Sequence, residues 1–242
     1  MTGWLAFLHE VLEYGPQILA GLGNTLLLAV IITLSGLVGG ILVFYLTLSP
    51  GSVTRRLTEG YISFFIGTPL IVLLFLMYYG LPQWGMRLPP LAVAVIGFTL
   101  NVAAYNARYL RTAYNGLDQD ELEAARAQGL SGLQVFRHIT LPQVLRLSVP
   151  ALTNQAILNL KDSSVAFLIQ YTEFFAEVQE LATRTFQYFK AYLIAGMVYL
   201  VLVSIIVFAA RRLEKAVKRE LEDLGFPQAA FSVALAEADT QA

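Results

Sequence analysis

The chain contains no cysteine, which excludes disulfides and thiolate-bound metals and says little about compartment. Charge is scarce too: Asp, Glu, Lys and Arg together make up 14% of 242 residues, against roughly a quarter in a soluble domain. Lysine occurs only at 161, 190, 215 and 218, and none of these follows a glycine, so the Gly-Lys-Ser/Thr core of a phosphate-binding loop is missing. ATP hydrolysis by this chain alone is therefore not expected. His9 and His138 are the only histidines, too far apart and on opposite predicted sides, so no metal site is expected. Nor is a nucleic-acid partner, at a net charge of −1. No short basic segment with a small-residue cleavage site precedes the first apolar run, and a cleaved signal peptide is not expected.

What fills the chain instead is apolar, 57% of all positions. Residues 14–54, 60–86, 88–107 and 191–210 carry no Asp, Glu, Lys or Arg. Each run exceeds or matches the ~20 residues a helix needs to cross the hydrocarbon core. A fifth, more polar candidate is 148–171, which includes Lys161 and Asp162. The expected fold is an all-α integral membrane protein with about five transmembrane helices. Of 16 Lys and Arg, twelve fall in 55–56, 108–146 and 211–219. Positive charge marks the cytoplasm, which puts the N-terminus outside and both the 108–146 loop and the C-terminus inside.

That loop has a readable local structure. Asp118 with Glu121 caps a helix favoured by Ala124, Ala125 and Ala127, and Gly129 can supply the left-handed residue that ends it. Ser131 with Gln134 then forms a capping box, and Pro142 is expected to close the second helix after two to three turns. At the other end, Leu213, Val217, Leu221 and Leu224 stand at helical spacing, with Glu214 able to pair with Lys218. The last span should continue as an amphipathic cytoplasmic helix lying on membrane lipid, and 226–242 as a loose tail. Gly36 and Gly40 present a small-residue face suited to helix packing.

Glu123-Ala124-Ala125, Gly129, Ile139 and Leu141-Pro142 together resemble the signature cytoplasmic loop of the membrane subunits of binding-protein-dependent ABC importers. The strings GNTLLLAV at 23–30, TEGYISFFIGTPLIVLLFLMYYGLP at 58–82 and LNLKDSSVAFLI at 158–169 resemble the polar amino-acid permeases of the histidine, glutamine and arginine type. This resemblance spans about residues 20–215. It implies an N-terminal extracytoplasmic segment at 1–19, a type I importer transmembrane domain at 20–215 with a coupling loop at 112–146, and a C-terminal helix and tail at 216–242. It further implies partners: ATP-binding cassette subunits that hold ATP and Mg, a second permease subunit, identical or paralogous, and an extracytoplasmic amino-acid-binding protein. No cofactor is expected in this chain.

Candidates for a substrate path are the polar residues inside the spans, which are costly there and usually face a protein interior or a water-filled route. Gln155, Asn159 and Asp162 fall on one helical face, and Asn101, Tyr105 and Arg108 repeat that spacing. Thr68, at the Pro69 kink, and Ser163, beside Asp162, join the set. Lys161 cannot face Asp162 across adjacent helical positions. Asp162 could therefore hold a substrate ammonium, with Asn101 on a facing span holding the carboxylate. The position of Gln155 can carry an acid in permeases for cationic amino acids, so glutamine there weakens the case for arginine or lysine. An importer of another small solute, such as an opine, is an alternative. A secondary transporter is a weaker one, because no pair of corresponding broken spans is visible.

Overall fold

A chain this apolar must satisfy its backbone groups within its own helices. A computed structural model describes residues 3–223, and every element among them is helical. In order they are α1 (Trp4–Glu13), α2 (Gly15–Thr47), α3 (Ser52–Gly67) and α4 (Leu70–Phe75), followed by a π turn at Leu76–Gly80 and a 3-10 turn at Leu81–Trp84. Next come α5 (Pro90–Asn115), α6 (Gln119–Ala127), α7 (Gly132–Val135), a second π turn at Phe136–Thr140 and α8 (Leu141–Leu147). The chain continues through α9 (Val149–Asp162), a 3-10 run at Ser163–Ile169, α10 (Phe174–Thr185) and α11 (Tyr188–Asp223).

Among the described residues α2, α5 and residues 188–219 of α11 are long and apolar enough to cross a membrane, and α3 with the 70–84 segment makes a fourth as a broken pair. The sequence leads one to expect about five. The difference lies at 148–171, where α9 stops at Asp162 and the chain tightens into the 3-10 run. Hydroxyls are one reason: Ser163 Oγ donates to Leu160 O at 2.7 Å and Ser164 Oγ to Lys161 O at 2.8 Å, competing for carbonyls that an α-helix would use. The expected kink at Pro69 is a full break, with Thr68 and Pro69 between α3 and α4.

The described chain divides into two compact units. The first gathers residues up to 34, 68–99 and 157–207. Leu28 and Ile32 of α2, Leu74 of α4, Val93 and Phe98 of α5, and Ile169 form one core. Phe7 of α1, Phe174, Val178 and Leu181 of α10, and Ala191 and Ala195 of α11 form another. Glu173 ties these elements together. Fully buried, its carboxylate accepts from the N–H groups of Phe175 (2.8 Å) and Ala176 (2.7 Å), from Thr25 Oγ1 (3.1 Å) and from the Tyr199 hydroxyl (3.3 Å). Burial pushes the Glu173 carboxyl above its ordinary range against the pull of those four donors.

The second unit holds 35–67, 100–156 and the chain from 208 onward. Its core joins Phe44 of α2, Ala107 and Leu110 of α5, and Val144 and Leu147 of α8, with Val217 of α11 packed against them. The glycine face expected at 36 and 40 is a helix-packing surface. A Cβ at 36 would lie 2.4 Å from Val102 Cγ1, and one at 40 would lie 2.5 Å from Asn106 Cβ. As expected, α11 runs on past the span without a break. Glu214, read from sequence as a partner for Lys218, accepts from Thr153 Oγ1 at 2.8 Å. The tail at 226–242 lies outside the described residues.

Candidate functional site

The 112–146 loop folds around its own small core. Leu122 and Ala125 of α6 and Val135 of α7 are buried, with Tyr114, Leu130 and Ile139 packed against them. Asp118 caps α6 by accepting from Asp120 N at 2.9 Å. The helix ends in a Schellman motif: Leu130 N donates to Ala125 O at 3.3 Å, and Gly129 N to Arg126 O at 2.9 Å. Gly129 sits at φ +89°, a backbone conformation that L side chains rarely adopt. The next helix opens with the capping box read from sequence, Gln134 N on Ser131 Oγ at 3.4 Å and Ser131 N on Gln134 Oε1 at 2.8 Å.

One expectation fails here. Pro142 does not close a helix; it stands in the first turn of α8, which continues to Leu147. A proline in a first turn has no N–H to leave unpaired and its φ already suits a helix, so it starts α8 after the π turn. Gln143 Nε2 then donates to both carboxylate oxygens of Glu121, each at 3.0 Å, fastening α8 to α6.

The signature residues divide by exposure. Ala125 is buried and Ile139, Leu141 and Pro142 are half-buried, holding the loop together. Glu123, Ala124 and Gly129 are exposed and available to a partner. Beside them opens a cleft of about 270 Å³, lined by Tyr45, Pro50, Tyr114, Arg126, Leu133 and Phe136.

The substrate-path candidates are less uniform. In the second unit Gln155 is buried, and its Oε1 accepts from the Tyr109 hydroxyl at 3.4 Å. The Tyr105 ring packs against the Tyr109 ring at 6.5 Å between centroids. Arg108, on the same helix, is exposed. Asn101 Nδ2 donates to Phe65 O at 2.8 Å. That carbonyl would otherwise bond the N–H of residue 69, which is proline and has none. The kink's missing donor is thus supplied by Asn101.

In the first unit Asn159 Nδ2 donates to Thr33 Oγ1 at 3.1 Å, and buried Ser163 is occupied by the Leu160 carbonyl. Asp162 and Lys161 are both exposed. Sequence reading missed the elbow that follows. Gln170 stands at φ +64°, with its Oε1 accepting from the Tyr78 hydroxyl and Leu168 O from the Tyr79 hydroxyl, both at 3.0 Å. Asn24 Nδ2 holds Thr172 O at 2.8 Å. Asn24 lies in the GNTLLLAV string, whose polar pair is the one signal that could have pointed there.

Comparison with known proteins follows the same lines. Residues 36–219 match the family described as binding-protein-dependent transport system inner membrane component. The chain is 36% identical over 207 residues to a probable amino-acid permease protein, YxeN, of Bacillus subtilis (strain 168), covering 84% of this chain and 92% of that one. It is 35% identical to a probable amino-acid ABC transporter permease protein, PatM, of Vibrio harveyi, over 87% of this chain and 98% of that one. Among solved structures, a crystal structure of an amino acid ABC transporter with histidines aligns with a TM-score of 0.80 at 27% identity, over 89% of this chain and 99% of that one. With the family match covering most of the chain and its signature loop built as a capped, self-packed unit, this chain belongs to the binding-protein-dependent transport system inner membrane components.

Proposed function

We propose that this chain is the permease subunit of an ATP-driven importer for a polar L-amino acid. It pairs with an identical or paralogous permease and receives substrate from an extracytoplasmic binding protein. Separate ATPase subunits, which hold ATP and Mg, dock on the Glu123–Pro142 loop. The N-terminus lies outside and the C-terminus inside, as the distribution of basic residues favours. The supporting observation for coupling is the loop itself. Its inner face is packed and its ends are capped, while Glu123 and Ala124 are exposed on a short rigid helix. Such a unit can be pushed without unfolding. ATP-driven closure of the ATPase dimer is passed through it to the spans, which alternate between outward and inward access. The amino-acid substrate class is supported by the names of the relatives, and Asp162, exposed at the end of α9, is the group we assign to the substrate ammonium.

The test is uptake of labelled amino acids into proteoliposomes holding the permease pair and its ATPase, with binding protein outside. Gly129→Asp puts a branched, charged residue at φ +89°. The variant should reach the membrane yet lose uptake and ATPase copurification together. Normal uptake by that variant would refute the coupling role of the loop, and failure of the unaltered complex to take up any amino acid would refute the substrate class.

A further inference from the structure

Helix α1 has an apolar face that nothing in the described chain covers. Successive positions on a helix are rotated by about 100°, and around α1 the residues sort into three arcs. Phe7 and Val11 pack into the cluster with Phe174, Val178 and Leu181. His9, Glu10 and Glu13 form an exposed charged arc, with His9 Nδ1 3.5 Å from Glu13 Oε1. Between these arcs, over roughly 100° of the helix, stand Trp4, Leu8, Leu12 and Leu5. All four are exposed, Leu5 by 82% and Leu12 by 77%.

What covers that arc follows from three observations. On α2, Leu19, Leu26, Val30 and Leu34 are also exposed, on a helix apolar enough to span a membrane. Those side chains face acyl chains. Next, α1 and α2 together cannot fit inside the bilayer. The 33 residues of α2 alone reach about 50 Å at 1.5 Å per residue, beyond the ~30 Å of hydrocarbon, and the charged arc of α1 needs water. Finally, Lys190 Nζ lies 5.2 Å from the Trp4 ring centroid and 5.7 Å from that of Phe7. An aromatic ring paired with a long cationic side chain is what the membrane–water boundary favours.

We propose that α1 is an interfacial anchor. Its Trp4–Leu5–Leu8–Leu12 arc lies among lipid headgroups and the first methylenes, its Phe7–Val11 arc against its own unit, and its charged arc in water. The proposal rests on the membrane placement of the family and not on the identity of the solute. In function α1 would set the depth of α2 and, through Phe7 and Phe174, the position of α10.

Trp4 and Trp84 are the only tryptophans, so Trp84→Phe leaves Trp4 as a single reporter. The full-length variant is reconstituted into phosphatidylcholine vesicles whose acyl chains are brominated either near the headgroup or near the terminal methyl. Trp4 fluorescence should fall by about half or more with the shallow bromines and distinctly less with the deep ones. No quenching by either lipid overturns the proposal, since Trp4 would then sit in water or under protein; stronger quenching by the deep bromines overturns it by making α1 part of the span. A second measurement uses the absence of native cysteine. A nitroxide on Leu8→Cys should be more accessible to oxygen than to a water-soluble nickel chelate. A disulfide-linked dimer through Leu8→Cys would overturn the lipid assignment in favour of a second copy of this chain.

Discussion

At the scale of single residues, the polar side chains of the substrate-path set divide into those that complete the backbone and those proposed to meet a ligand. Asn101 belongs to the first group, because its amide replaces the donor that Pro69 lacks. Asn101→Leu should leave the Phe65 carbonyl without that partner at a cost of about 1 to 3 kcal/mol. The loss should appear as a lower thermal midpoint of the purified complex with little change in the substrate concentration for half-maximal uptake; a large shift in that concentration with an unchanged midpoint would instead place Asn101 in the path. Asp162, exposed next to Lys161, is the group proposed for the substrate ammonium. Asp162→Asn keeps the volume and removes the charge. A charge-assisted hydrogen bond of about 1.5 to 3 kcal/mol corresponds to a roughly ten- to hundredfold drop in uptake efficiency. Expression and ATPase copurification should survive, and full uptake would exclude the assignment. Both residues were legible as costly polar groups, but the carbonyl that Asn101 serves, that of Phe65, lies 36 positions away in the sequence.

Among the elements, agreement between sequence and structure is closest where bonds are local. The Asp118 cap, the glycine stop at 129 and the Ser131–Gln134 box involve residues a few positions apart, and all three form as read. Pro142 was misread because a proline ends one helix and starts the next with equal local licence. The π turn before it, which decides between the two, depends on packing of Phe136 against Phe44 and Tyr45. The glycine face on α2 makes a sharper prediction. Gly40→Val places its Cβ 2.5 Å from Asn106 Cβ on α5, with backbone of Ala103 and Ala107 close behind. Overpacking of this kind costs about 1 to 3 kcal/mol, so the midpoint should fall; the same change at Gly23, which meets nothing within 4 Å, should be nearly neutral. Equal effects at the two sites would rule out close α2–α5 packing as the reason for glycine.

For the whole molecule, the division of labour follows from what the chain holds. It carries apolar helices and the capped loop proposed to dock an ATPase, and its lysines sit outside any phosphate-binding motif. The purified chain alone should therefore hydrolyse no ATP, while the complex with ATPase subunits should, more rapidly when loaded binding protein is present. Measurable hydrolysis by the chain alone, free of copurifying ATPase, would contradict the proposed assignment of hydrolysis to a separate subunit.

Composition and short-range pattern by themselves determined that this protein is helical, lies in a membrane, lacks a phosphate-binding motif of its own and presents a capped two-helix loop. These properties depend on solvation and on bonds between near neighbours, which a linear sequence contains in full. Tertiary structure alone decided that Asn101 answers for Pro69 and that Glu173 joins Thr25 and Tyr199. It also decided that α1 keeps one apolar arc for protein and leaves another uncovered. For Asn101, Glu173 and the Phe7 arc of α1 the deciding partner lies tens of residues or more away in the chain. A buried polar group must be paired, but nothing in its own surroundings along the sequence says by which residue.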